Sequence, residues 1–164
     1  MKKKIMFVAL SFLLLVIIFS CSDNATDPTN DISVKPTVKI TSTDYDEQLF
    51  NNSFPENDIL NEISDAYRAS YSNDIKIKLI DYVSQKVESL GENKNTFKEC
   101  FELSGCKEGN SISLPTYIKK ANYNGVDAWI IQLTWGVDSS DLGHYKCFAI
   151  GINSKDTLYY SRCK

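Results

Sequence analysis

The spacing of apolar residues changes near the middle of the chain. From Ile59 to Leu90 they recur every three or four positions, the repeat of a helix face; from Leu114 to Cys163 they alternate, the repeat of a strand. Ser53-Phe54-Pro55-Glu56 has the form of a capping box with Pro in the first turn, and Ile59, Leu60, Ile63, Tyr67 and Tyr71 follow at helical spacing. A helix is predicted over 54–71. Asn73 or Asp74 can cap a second, with the stripe Ile75, Leu79, Ile80, Val83, Val87 and Leu90 and with Gly91 as its stop. Thr96-Phe97-Lys98-Glu99 is a further capping box, opening a short helix to about Leu103.

Beyond Cys106 the chain reads as strands. Leu114, Thr116, Ile118 and Lys120 fall on one face of the first. Asn124-Gly125 is a two-residue hairpin signal. Val126 to Trp135 follows, and Trp129, Ile131, Leu133 and Trp135 make its expected core face. Gly136 to Gly143 is a predicted loop. Tyr145 to Ile152 and Leu158 to Cys163 complete the set, turning at Asn153-Ser154-Lys155-Asp156. Helices first and strands afterwards predict an α+β fold: two or three N-terminal helices packed on one face of a four-stranded antiparallel meander, in a single domain over 44–164. Val34, Val38 and Ile40 also alternate with polar residues, and Pro36 there suits an edge strand.

The first residues follow a different pattern. Lys2, Lys3 and Lys4 precede an apolar run from Ile5 to Phe19, then Ser20 and Cys21. Charge, apolar run and small residue in that order form the layout of a secretory signal, and the run is shorter than the roughly 20 residues of a comfortable membrane span. Ile18-Phe19-Ser20-Cys21 resembles the lipobox of bacterial lipoproteins, a resemblance confined to residues 1–21. It implies that residues 1–20 are a signal peptide and that Cys21 receives a diacylglyceryl group and becomes the first residue after cleavage. The membrane would then be a partner through lipid alone. Ser22 after the Cys would favour the outer membrane in a double-membrane bacterium. Each buried CH₂ contributes roughly 0.8 kcal/mol, and a single chain holds only marginally, so two or three chains on Cys21 would be needed for stable attachment. Residues 21–43 then read as lipidated Cys and tether; the stretch from 22 to 36 is polar and turn-rich.

Lipidation also resolves the cysteine count. Five Cys is an odd number for an exported chain; with Cys21 acylated, Cys100, Cys106, Cys147 and Cys163 remain for pairing in an oxidising compartment. The favoured pairs are Cys100–Cys106, closing a loop over Gly105, and Cys147–Cys163, joining neighbouring strands about a turn centred on Lys155. Loops this short are worth roughly 2–3 kcal/mol each in the chain-entropy account. Four thiolates could instead take zinc, but there is no Cys-x-x-Cys knuckle and the spacings are untypical. No metal and no cofactor is expected.

Charge narrows the partners. Beyond residue 20, fifteen Lys and Arg face 21 Asp and Glu, a net charge of −6. That disfavours nucleic acid, whose binding rests on cations against phosphate. Only Arg68 and Arg162 are Arg, so bidentate anion clamps are scarce. Catalytic patterns are thin. His144 is the only His, and the Asp138–His144 loop lacks a Gly-x-Ser-x-Gly elbow. Asp44, Asp46 and Glu47 form an acidic cluster without a calcium-loop pattern. Tyr117, Tyr123, Tyr145 and Tyr159 are expected on the less apolar sheet face or its rim, a candidate binding surface because Tyr buries area at low entropy cost. The expectation is therefore a lipid-anchored, extracytoplasmic, non-enzymatic domain binding an envelope protein or glycan. The alternatives are an inhibitor or immunity lipoprotein, and a small hydrolase using the Asp138–His144 loop.

Overall fold

The computed structural model describes residues 32–54, 58–106 and 112–163. The expected signal, Cys21 and the first part of the tether lie outside the described residues. The chain enters as β1 (Thr37–Tyr45) and continues through α1 (Glu47–Ser53), α2 (Asp58–Arg68), α3 (Asn73–Ser89) and α4 (Lys94–Leu103). It then forms β2 (Ile112–Tyr123), β3 (Val126–Gly136), β4 (His144–Gly151) and β5 (Thr157–Arg162), with a 3-10 turn at Ser139–Asp141. The class is α+β. Among the described residues, no helix is long and apolar enough to cross a membrane.

The sheet has five strands in the order β1-β2-β3-β4-β5. From β2 to β5 it is the expected antiparallel meander. The four-stranded expectation omits β1, which joins the edge parallel to β2, with Val38 opposite Ile118. A parallel pair needs a long crossover, and the four helices supply it. Residues 37–43, expected as tether, are strand. Just before them, the Tyr67 hydroxyl donates to the Val34 carbonyl at 2.7 Å, and Ile32 is buried beside Ile63 and Leu79.

The helix starts follow their caps. Asp46 Oδ1 accepts from the Leu49 amide at 2.7 Å and opens α1, a helix the sequence reading does not contain. Ser53, expected to cap a helix over 54–71, is instead the last residue of α1, and the next helix begins at Asp58 and stops at Arg68. Ser72 caps α3 through the Ile75 amide. At its far end Gly91 takes φ +85°, and the Glu92 amide reaches the Val87 carbonyl, the left-handed stop expected there. Asn93 caps α4, three residues ahead of Thr96, the cap expected from the sequence. Between β2 and β3, Asn124 (φ 48°) and Gly125 (φ 76°) form the anticipated turn, both with positive φ as a type I′ hairpin demands.

The expectation of helices on one face is corrected: both faces are covered. α3 and α4 set Val83, Val87, Phe97 and Phe101 against Ile118, Trp129, Ile131, Leu133 and Ile150. On the opposite face α1 sets Phe50, with Phe54 just behind it, against Ala121, Tyr123, Ala128, Ile130, Cys147 and Ala149. Strand alternation produces this split, since odd positions of β3 face α3 and α4 while Ala128 and Ile130 face α1. Trp135, expected in the core, is only half-buried; its indole donates to the Tyr145 carbonyl at 3.3 Å. α2 docks where the Ser64 and Thr134 hydroxyls meet at 2.7 Å. β2 is irregular between Pro115 and Tyr117, so the expected common face of Leu114, Thr116 and Ile118 is broken.

Candidate functional site

The four tyrosines do share a face. Tyr117, Tyr145 and Tyr159 pack, half-buried, against the core that contains Tyr123, on the α1 side of the sheet. α1 closes over part of them. Phe50 meets Tyr159 edge-on at 5.1 Å, Tyr123 stacks on Tyr159 at 5.5 Å, and Phe54 meets Tyr117 at 5.9 Å. The Tyr159 hydroxyl accepts from Asn51 Nδ2 at 2.8 Å and lies 3.3 Å from Glu47 Oε1. Burial, with Tyr159, Glu47 and Asp46 nearby, pushes the Tyr123 hydroxyl above its usual range. The expected open aromatic surface is thus a largely occupied one.

Two residues of this face escaped the sequence reading. The Lys119 ammonium lies 5.1–5.3 Å from the rings of Tyr45, Phe54 and Tyr117, and donates to the Tyr45 hydroxyl at 2.6 Å. It sits in an aromatic cage built by its own chain. Gln132, fully buried, donates through Nε2 to the Phe54 carbonyl and accepts from the Thr116 hydroxyl at 2.9 Å. A Gln inside the apolar run from Trp129 to Trp135 was the available signal, because a buried amide must find partners.

The acidic cluster turns out to hold the fold together. Asp44 accepts the Gly125 amide with both oxygens, at 2.9 and 3.1 Å, tying β1 to the β2–β3 hairpin; Asp46 is the α1 cap. Among the described residues no group of three or more His, Cys, Asp or Glu is placed to hold a metal ion.

No disulfide joins Cys100, Cys106, Cys147 and Cys163 in the structure, which departs from the expected pairing. The Cys100 thiol points to the Gly151 carbonyl at 3.9 Å and the Cys106 thiol to the Ser113 carbonyl at 3.6 Å. Gly151 pairs with Ala128 and Ser113 with Trp135, so these two targets flank opposite ends of β3. For the second pair the register differs by two residues. Cys147 faces Ser161, and the Cys163 amide bonds to the Tyr145 carbonyl. The turn is the cause: the Gly151 amide bonds to the Asp156 carbonyl, which centres it between Asn153 and Ser154 and not on Lys155, and the irregularity between Ala149 and Ile150 makes up only one residue of the difference. Burial raises the Cys147 thiol far above the ordinary range. It raises Cys100 too, opposed there by the Lys155 ammonium at 3.6 Å.

The Asp138–His144 loop is held by its own turn and by its neighbours: the Arg68 guanidinium donates to the Leu142 carbonyl at 2.8 Å, and the Gly143 amide donates to the Thr134 hydroxyl at 3.0 Å. Asp138 Oδ1 accepts from the Ser140 hydroxyl and amide, at 2.5 and 2.8 Å, and these bonds hold its carboxyl below the usual range. The His144 ring lies against Trp135 at 5.6 Å. Ser140 is therefore engaged with Asp138, and the loop that carried the hydrolase alternative forms a capped turn beside an imidazole tilted by 42° to the Trp135 ring.

A concavity lies elsewhere, between α3 and α4. It has a volume of about 450 Å³ and is lined chiefly by Lys76, Ile77, Ile80 and Asp81 of α3 and by Lys98 and Phe101 of α4. The α3 residues are spaced at three and four, so they form one stripe of that helix. Sequence reading placed Ile80 in the core stripe and gave no role to Ile77 or the two lysines.

No protein-family description matches this sequence, and no curated protein or solved structure is significantly similar to it.

Proposed function

We propose that the chain is an extracytoplasmic lipoprotein, anchored through Cys21, whose α+β domain is a non-enzymatic binding module for an envelope protein or glycan. The observation that carries this reading is the N-terminal order of Lys2 to Lys4, an apolar run and Ser20-Cys21. The net charge of −6 beyond residue 20 adds to it by disfavouring nucleic acid as partner. The catalytic alternative draws no support from the loop geometry, where Ser140 serves Asp138.

Metabolic labelling with a palmitate analogue tests the anchor. The wild-type chain takes up label and fractionates with membranes, whereas Cys21→Ala stays unlabelled and uncleaved. An unlabelled wild type, or a Cys21→Ala chain that still carries label, overturns the reading.

A further inference from the structure

We infer that the groove between α3 and α4 binds a singly charged anionic amphiphile, a carboxylate with an apolar chain. The inference goes beyond the proposed anchor and does not depend on it.

The groove combines three features. Its floor is apolar and continuous with the core: Phe101 and Ile80 are buried, while Ile77 beside them is 56% exposed, the second most exposed large apolar residue described. An exposed Ile next to core side chains gives a chain of CH₂ groups somewhere to leave water. Next, the groove carries two cations with no partner. Lys94, Lys120 and Lys155 each form an ion pair, but Lys76 and Lys98 form none with any described residue. Lys86 and Lys146 also lack an ion pair to a described residue, so what marks the cleft is that two such ammoniums flank one apolar floor, on a chain whose net charge beyond residue 20 is −6. Lastly, Asp81 lines the same cleft, which leaves a local charge of +1.

These features select the ligand. A net single positive charge matches one carboxylate and not a doubly charged phosphate monoester, which Asp81 would repel. Lysine ammoniums act as point charges, without the planar fork with which Arg grips a phosphate. A volume of about 450 Å³ falls within the range of small-molecule clefts. The carboxylate would sit between Lys76 and Lys98, and the chain would lie over Ile77, Ile80 and Phe101.

Calorimetric titration of the full-length chain in lipid nanodiscs tests this, with empty nanodiscs as the blank. The probes are octanoate, octanol (the tail alone), acetate (the head alone) and a short-chain phosphatidylglycerol. Octanoate is expected to bind saturably, one per chain, about tenfold tighter than octanol, the effect of one hydrogen bond to a charged group, and at least about tenfold tighter than acetate, which lacks the chain that leaves water. Lys76→Glu combined with Lys98→Glu should weaken it by about tenfold or more, and Ile77→Asp should act similarly. Ile77 is exposed and Lys76 and Lys98 are half-buried at the helix surfaces, and circular dichroism of each variant should match the wild type. Octanoate binding no tighter than octanol, or equal in the double variant, overturns the inference. A preference for phosphatidylglycerol replaces the carboxylate by a lipid headgroup and overturns the assignment. Palmitate labelling reads the anchor separately, so either proposal can fail alone.

Discussion

On one face of the sheet, 17 residues of α3 and 10 of α4 lay Val83, Val87, Phe97 and Phe101 over Ile118, Trp129, Ile131 and Ile150. On the other, a helix of seven residues holds Phe50, with Phe54 at its end, over Tyr123, Ile130 and Cys147. The first contact is mostly hydrocarbon, and Phe97 packs edge-on against Trp129 at 4.9 Å. The second mixes aromatic rings with a buried amide, a thiol and a caged ammonium. A helix as short as α1 has no stability of its own in water. It persists because the Asp46 cap, the Phe50 and Phe54 contacts and the Gln132 bond all bear on it. The long helices can lose one contact and stay in place, whereas α1 depends on each.

The largest effect should come from the hydrocarbon face. Trp129→Ala is expected to destabilise by about 3–5 kcal/mol in urea titration, because it removes the side chain that Phe97 packs on. Phe50→Ala should cost less globally, with the extra opening confined to α1 and visible there by amide hydrogen exchange. Equal global losses would show that the thin layer is as integral as the thick one.

On the polar face, Gln132→Met should cost about 1–3 kcal/mol, since it leaves the Phe54 carbonyl short of a partner, while the Thr116 hydroxyl keeps its bond to the carbonyl of residue 132 at 3.1 Å. Combining it with Thr116→Val should cost less than the two losses summed, because the bond between the Thr116 hydroxyl and Gln132 Oε1 is lost in either single variant and only once in the double. Strict additivity would mean that the network does not act as a unit.

Asp46→Ala removes the α1 cap and should cost about 1 kcal/mol. Ser72→Ala removes the corresponding bond from α3 and should cost no more, because tertiary packing holds that longer helix. Circular dichroism with chemical denaturation checks the pair. A larger loss at Ser72 would reverse the contrast.

The same contrast decides what was legible beforehand. α3 was readable because a long amphipathic stripe ending in Gly91 states its own period. The β2–β3 hairpin was readable because Asn124-Gly125 fixes its turn and register. The shared face of Tyr117, Tyr123, Tyr145 and Tyr159 followed from alternation within each strand. What covers that face did not. α1 is too short to show a period, and its cap, Asp46, looked like one member of an acidic cluster. The parallel pairing of β1 rests on contacts made across four helices, which no local pattern encodes. The Cys147–Cys163 expectation met a two-residue offset because the turn is centred between Asn153 and Ser154 and not on Lys155, and four polar residues in a row do not mark which of them is the centre. The lysines of the α3–α4 groove looked like ordinary solvated charge until the helices placed them together.

The smallest effect is one that vanishes at neutral pH. Cys147 is fully buried on the α1 side, and its thiol points to the Phe54 carbonyl at 3.9 Å. Burial raises its folded-state pKa far above the ordinary thiol value of roughly 8.5. Below that value folded and unfolded chains both keep the proton, so the thiol's contribution is intact. As pH climbs above it, the unfolded chain releases the proton while the folded chain retains it, and stability declines with pH. Cys100, also raised by burial, adds to the slope in the same direction. In urea titrations of the reduced chain from pH 7 to about 10, a range bracketing the ordinary thiol value, Cys147→Ala should flatten the decline without abolishing it. Identical profiles for wild type and variant would mean that Cys147 ionises as readily folded as unfolded, and so that α1 does not seal its face against water.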